Sequence, residues 1–180
     1  MARMPYADPA QLTNLARETL GPSPVNVARM MAGASPAVFR AFTDYGGAFF
    51  RSSALSPRLR EIAILRVGHL SASEYEVFQH EAMARHLDMT DADLAAIGVG
   101  ANPARLGADA VAVIAFVDDL VRNVGASDAT LAAVGVHLDQ RQILDLILLT
   151  GYYMMVCRFL ETTGVEIDNT ALDWGAAMKA

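Results

Sequence analysis

The chain has one cysteine, Cys157, among its 180 residues. That excludes a disulfide framework, an intrachain dithiol couple and a cysteine zinc knuckle. Lysine is equally scarce. Thirteen of the 14 basic residues are arginine and the lone lysine is Lys179, so Schiff-base chemistry, which needs a buried lysine of lowered pKa, has no candidate. There is no basic run interleaved with aromatics, and the net charge is −6; both argue against a nucleic-acid partner. The N-terminus, MARMPYADPAQL, lacks the apolar core of a signal peptide. The longest apolar run, LILLTGYYMMVC (Leu146 to Cys157), has 12 residues between Asp145 and Arg158. A membrane span takes roughly 20 apolar residues, so the run reads as a buried helix, with no membrane partner and a cytoplasmic location expected.

Period-two alternation bounded by hairpin turns is also missing, which argues against strands. What remains is rich in apolar residues, 53% against 19% charged, enough for a real core. Proline and glycine cut the chain into helical segments. A first helix is expected over about 8–20, with Asp8 as N-cap and Pro9 at its first position. GPSPVN breaks it, and a second segment covers about 25–33. Ser35-Pro36 opens a third, with Gly46-Gly47 as a kink, and Ser56-Pro57 opens SPRLREIAILRVGHL. SASEYEVFQHEAMARHL follows, and then TDADLAAI, in which Thr90 and Asp93 form a weak capping box. Segments at 107–125, SDATLAAVGVHL and 139–164 complete the chain. The expectation is all-α: one domain over 1–180, a compact array of about seven to nine helices. A helix as apolar as 139–164 needs cover on nearly all sides, which predicts a homo-oligomer.

The polar residues of EIAILRVGHLSASEYEVFQHEAMARH (Glu61 to His86) stand out. On a helix Ser73, Glu76 and His80 share a face, with Glu76 and His80 at i, i+4. A carboxylate beside an imidazole raises its pKa and orients it, as a general acid or base requires; the same pair also occurs on solvated faces. Glu61 sits among Leu59, Ile62, Ala63 and Leu65 and needs a partner if buried, or snorkels to water from a rim. Tyr75 and Gln79 lie at i, i+4 on a neighbouring face, suited to orienting a ligand or to packing. Of Arg51, Arg58, Arg60 and Arg66, which read mainly as a solvated or salt-bridged set, Arg66 lies deepest in the apolar run and best suits a substrate carboxylate. His69, His86 and His137 read as satisfied or exposed, and Cys157 as a small hydrophobe. His80 and His86 are six apart, wrong for a helical zinc pair, and Glu76 and His80 are four apart where a di-iron bundle uses three. No metal site is predicted.

LSPRLREIAILRV followed by SEYEVFQHEAMAR resembles the carboxymuconolactone decarboxylase and alkyl hydroperoxidase D-like family, most closely over about Leu55 to Ile97. The closing helix, QILDLILLTGYYMMVCRFLETTGVEID, fits as well, and the family core would span about 35–165. In the hydroperoxidase branch a glutamate precedes a Cys-x-x-Cys pair and a histidine four residues beyond it. Laid on this chain, the glutamate falls on Glu61, the histidine on His80 and the two cysteines on Ser73 and Glu76. The chain thus resembles a branch without the cysteine pair, and thiol-based peroxide reduction is disfavoured because both sulfurs are missing.

The resemblance implies a trimer or hexamer, a pocket holding Glu61 and His80, and, in the decarboxylase branch, no metal or organic cofactor. The reading leans toward a cofactor-independent acid–base lyase, decarboxylase or isomerase acting on a small cyclic or aromatic-derived acid or lactone. His80, Glu61 and Glu76 would be catalytic, and Tyr75, Ser73, Gln79 and Arg66 would bind substrate. The alternative is a non-catalytic small-molecule binder or structural oligomer on the same scaffold.

Overall fold

The structure, a computed structural model, describes residues 1–20 and 24–171. The GPSPVN break falls partly outside the described residues, as does Lys179. Among the described residues there are nine α-helices and no strand: α1 (Asn14–Leu20), α2 (Asn26–Met31), α3 (Pro36–Arg51), α4 (Pro57–Leu70), α5 (Glu74–His86), α6 (Asp91–Ile97), α7 (Ala108–Arg122), α8 (Asp128–Gly135) and α9 (Gln140–Thr163). The all-α expectation holds.

Helix α4 is the axis of the molecule. Ser56 caps it by accepting the Leu59 N–H, and Pro57 takes the first turn, where an N–H would be unsatisfied anyway. Every residue from Leu59 to Gly68 is buried, because α5, α7 and α9 pack around it. A helix covered on all sides brings its charges inside with it, so Arg60, Glu61 and Arg66 all need internal partners. Gly68 lets α5 come close: a Cβ there would meet Val77 Cγ2 at 3.1 Å. The chain then turns through Ala72, held at a left-handed φ of 50°, into α5.

One boundary differs from the sequence expectation. Asp8 caps only a 3-10 turn, Pro9–Gln11. Thr13 then accepts the Ala16 N–H and restarts the helix, so α1 begins at Asn14. Gly46-Gly47 does not break α3, which runs unbroken to Arg51. Gly46 is there for closeness, since a Cβ on it would lie 2.2 Å from the Tyr152 hydroxyl. The Thr90 box is complete, with Thr90 and Asp93 each accepting the other's backbone N–H.

Helix α9 is long and apolar enough to cross a membrane by length and composition. Here Leu146, Leu149, Tyr152, Tyr153, Val156, Cys157 and Leu160 fill the core. An Asp139–Gln142 capping box starts it and Gly164, in the left-handed conformation, stops it. Its opposite face carries exposed Leu144, Ile147, Leu148 and Met155.

Candidate functional site

Helices α4 and α5 bring together two groups 19 residues apart. The Glu61 carboxylate reaches the His80 ring, with Oε2 2.7 Å from Nδ1. From the other side Glu76, one turn earlier on α5, places Oε1 3.0 Å from Nε2. Arg60 donates from Nε to the second Glu61 oxygen at 3.1 Å, and its guanidinium lies over the Phe50 ring, 4.4 Å from the centroid. All four side chains are buried, Glu61 completely. The rim position considered for Glu61 is therefore not the one it takes.

Burial by itself lowers the pKa of an imidazole. The charges of Glu61 and Glu76, and their hydrogen bonds, outweigh it and raise His80 to about 9. At neutral pH the ring is an imidazolium between two carboxylates. With Arg60 the cluster holds two positive and two negative charges, the balance that makes such burial tolerable. Both ring nitrogens point at carboxylates on opposite sides rather than at a common centre. Among the described residues no three acidic, histidine or cysteine side chains are arranged to hold a metal ion.

His80 and Glu76 open onto a pocket of about 150 Å³, walled by Phe42, Tyr152, Tyr153, Val25, Val27 and Val156 together with Tyr75 and Gln79. Tyr153 meets the His80 ring edge-on at 5.1 Å, and Tyr152 stacks on Phe42 at 5.1 Å. Burial raises the pKa of both tyrosines, with the charge of Glu76 adding to it, so both stay protonated. Tyr75 donates to Asp168 Oδ2 and accepts the Val27 N–H, while Gln79 donates to the same Asp168 oxygen at 2.8 Å.

Of the seven residues expected in the site, Glu76, His80, Tyr75 and Gln79 line the pocket and Glu61 stands directly behind His80. Ser73 is buried as the N-cap residue of α5, at the base of the cluster but outside the pocket lining. Arg66 is elsewhere. It forms a two-pronged pair with Asp118, at 2.7 Å from Nη2, and donates to the carbonyls of Ile97 and Gly98, each at 2.8 Å. Depth in an apolar run pointed to a ligand, but the structure satisfies that depth with a carboxylate of α7.

Cys157, distant in sequence, faces the hydroxyls of Ser71 and Ser73. Burial, reinforced by the charge of Glu76, pushes its thiol up to about 12. Sequence reading missed Arg60 as a site residue, since an Arg beside a Glu reads as a solvated pair. It also missed Phe42, Tyr152 and Tyr153, which read as core, and Asp168, which no local pattern marks.

Residues 36–119 match the carboxymuconolactone decarboxylase family, and that segment carries Arg60, Glu61, Ser73, Glu76 and His80. No curated protein matches the chain. Among solved structures the chain is similar to the alkylhydroperoxidase AhpD core, peroxidase-related protein of Ralstonia eutropha JMP134. The two share 19% identity over 93% of each chain, with a TM-score of 0.82. It is also similar to a peroxidase-related protein from Silicibacter sp. TM1040, at 20% identity over 93% of this chain and 92% of that one, TM-score 0.70. A protein of unknown function from Agrobacterium tumefaciens matches at 19% identity, covering 76% of this chain and 94% of that one, TM-score 0.70. At these identities the neighbours establish the fold. The match to the carboxymuconolactone decarboxylase family thus covers a little under half of the chain, and where the family resemblance places its two cysteines the chain carries Ser73 and Glu76.

Proposed function

We propose that the chain is a cofactor-independent acid–base enzyme, a lyase, decarboxylase or isomerase acting on a small cyclic or aromatic-derived acid or lactone. One observation carries the reading: an imidazolium held at both nitrogens by carboxylates, with one of those carboxylates on the wall of a ring-sized pocket. Glu76 takes a proton from the bound substrate. His80, 3.0 Å away, carries a proton that it returns to the product or to the leaving group. Glu61 and Arg60 fix the ring and compensate its charge without touching the substrate.

Positioned proton transfer contributes about 10²–10⁴-fold. His80→Gln should therefore lower turnover of a responsive lactone or aromatic acid by about 10²–10⁴-fold, checked by steady-state rates alongside a melting curve. Cys157→Ser should change the rate little. Full activity in His80→Gln would remove the imidazole from the mechanism.

A non-catalytic binder is the second reading. It is favoured by the charge balance of Arg60, Glu61, Glu76 and His80, which needs no substrate to be satisfied. In that case Glu76→Gln leaves ligand-induced stabilisation in place, and no substrate of the screen turns over.

Hydroperoxide reduction, the activity named for the Ralstonia neighbour, is disfavoured. Its thiolate chemistry needs two sulfurs, and the one thiol here is held protonated by burial. A dithiol-coupled hydroperoxide assay should show no turnover.

We also propose self-association as a trimer or hexamer. The exposed α9 stripe of Leu144, Ile147, Leu148 and Met155 supports an apolar contact. Light scattering should show the assembly, and Leu148→Glu should weaken it.

A further inference from the structure

One carboxylate near the pocket belongs to neither acid–base partner. Asp168 follows α9 on an irregular segment in which Glu166, Ile167, Asn169 and Thr170 are all exposed, yet Asp168 is half-buried. Three donors converge on it. The Asn26 N–H reaches Oδ1 at 2.9 Å, while Tyr75 and Gln79 both reach Oδ2, at 2.5 and 2.8 Å. No cation among the described residues pairs with it within 4.0 Å. Every donor is neutral, so moving this carboxylate away leaves no buried charge behind.

Tyr75 and Gln79 are two buried donors at i, i+4. They form a row on α5 directly beside the Glu76 and His80 row, one residue earlier in each case. Both rows line the same pocket. Burial and the Asp168 hydrogen bond raise the Tyr75 pKa, which keeps its hydroxyl a donor. The pocket holds about 150 Å³, and an apolar cavity of about 150 Å³ accommodates a benzene ring.

We propose that Tyr75, Gln79 and the Asn26 N–H form a carboxylate-binding subsite that the chain's own Asp168 fills and that a ring-bearing ligand carboxylate takes over by displacing it. The proposal rests on the acid–base reading for what happens next, but not for binding itself. A ligand held this way lays its ring against Phe42, Tyr152 and Tyr153 and brings the atoms beyond it to Glu76. The segment from Val165 to Asp168 then acts as a displaceable strap, and its release is the conformational cost of binding. A self-carboxylate that fills the subsite most of the time weakens the apparent ligand affinity by the closed fraction.

The test is isothermal titration with benzoate as probe and benzamide as its neutral match. Asp168→Ala should bind benzoate about tenfold more tightly than the unaltered chain, the gain expected if the subsite is self-occupied about nine-tenths of the time. Benzamide should gain little. Asp168→Ala combined with Gln79→Leu should lose the gain. Equal or weaker benzoate binding by Asp168→Ala would overturn the proposal, as would an equal gain for benzamide, which would mean that the pocket had merely opened.

A second readout needs no variant. In hydrogen–deuterium exchange, saturating benzoate should speed exchange over residues 165–170 while α4 stays protected; unchanged or slower exchange in that strap would also overturn the proposal. Repeating the titration in His80→Gln separates the two readings. Retained benzoate binding with turnover abolished supports both. Retained binding with full turnover removes the acid–base role and leaves the subsite standing.

Discussion

Helix α4 carries two buried ionic clusters on different faces, built from similar parts toward different ends. Around Arg66 every guanidinium nitrogen has a fixed acceptor: two Asp118 oxygens and two backbone carbonyls. Asp118 takes a further contact from Arg122 at 3.2 Å. Arginine does not lose its proton in proteins, and Arg66 is not among the residues that line the pocket beside His80 and Glu76. Around Glu61 the central cation is a histidine, whose proton can leave, and one of its carboxylates faces a cavity. The first cluster ties α4 to α7 and to the end of α6. The second places a titratable imidazolium and its carboxylate partner beside a pocket. A buried ion pair alone therefore says little about function; a titratable member beside an opening is what separates the two.

The comparison breaks most visibly on the structural side. Asp118→Ala leaves a guanidinium buried without its carboxylate and should cost about 3–5 kcal/mol, read as a lower denaturation midpoint. Turnover per folded molecule should stay as it was.

The pH dependence of stability sharpens the contrast. His80 has a folded pKa raised to about 9, above an unfolded value of about 6.5. Its contribution is therefore fully present below about pH 6.5 and is lost as pH rises through about 9. That contribution is on the order of 3 kcal/mol. Thermal melts between pH 6 and pH 10 should show an alkaline decline that His80→Gln flattens and Asp118→Ala leaves in place.

Gly46→Ala should act on the pocket wall. Its methyl would stand 2.2 Å from the Tyr152 hydroxyl, forcing the ring aside at about 1–3 kcal/mol. Ligand affinity should fall while the alkaline decline remains. The smallest effect is expected at Ala72, just before α5. Relief of its left-handed φ of 50° by Ala72→Gly should stabilise the fold by up to about 1 kcal/mol, partly offset by the greater freedom of glycine in the unfolded chain. Chemical denaturation would measure it.

Much of this was legible in the residues. Ser56-Pro57, the Thr90 box and Asp139 set helix starts that the structure reproduces, because a cap is a contact within four residues. The start of the first helix was misread, and the role of Gly46 was not legible, for the opposite reason. Thr13 restarts the helix by a cap that competes with Asp8, and Gly46 answers to Tyr152, 106 positions away. Arg66 failed in the same way, since its partner Asp118 lies on another helix.

By itself the sequence determined the helical class, the pairing of Glu76 with His80, the neighbouring row of Tyr75 and Gln79, and the absence of a second thiol. Helical periodicity and composition are local properties, and they survive whatever the rest of the chain does. Only the tertiary structure decided that Glu61 meets Nδ1 of His80, that Arg60 turns inward over Phe50, that Arg66 serves Asp118, and that Asp168 returns to Tyr75 and Gln79. Those contacts depend on how helices rotate and slide against one another. Burial of the whole surface of α4 sets that arrangement, and no short stretch of residues encodes it.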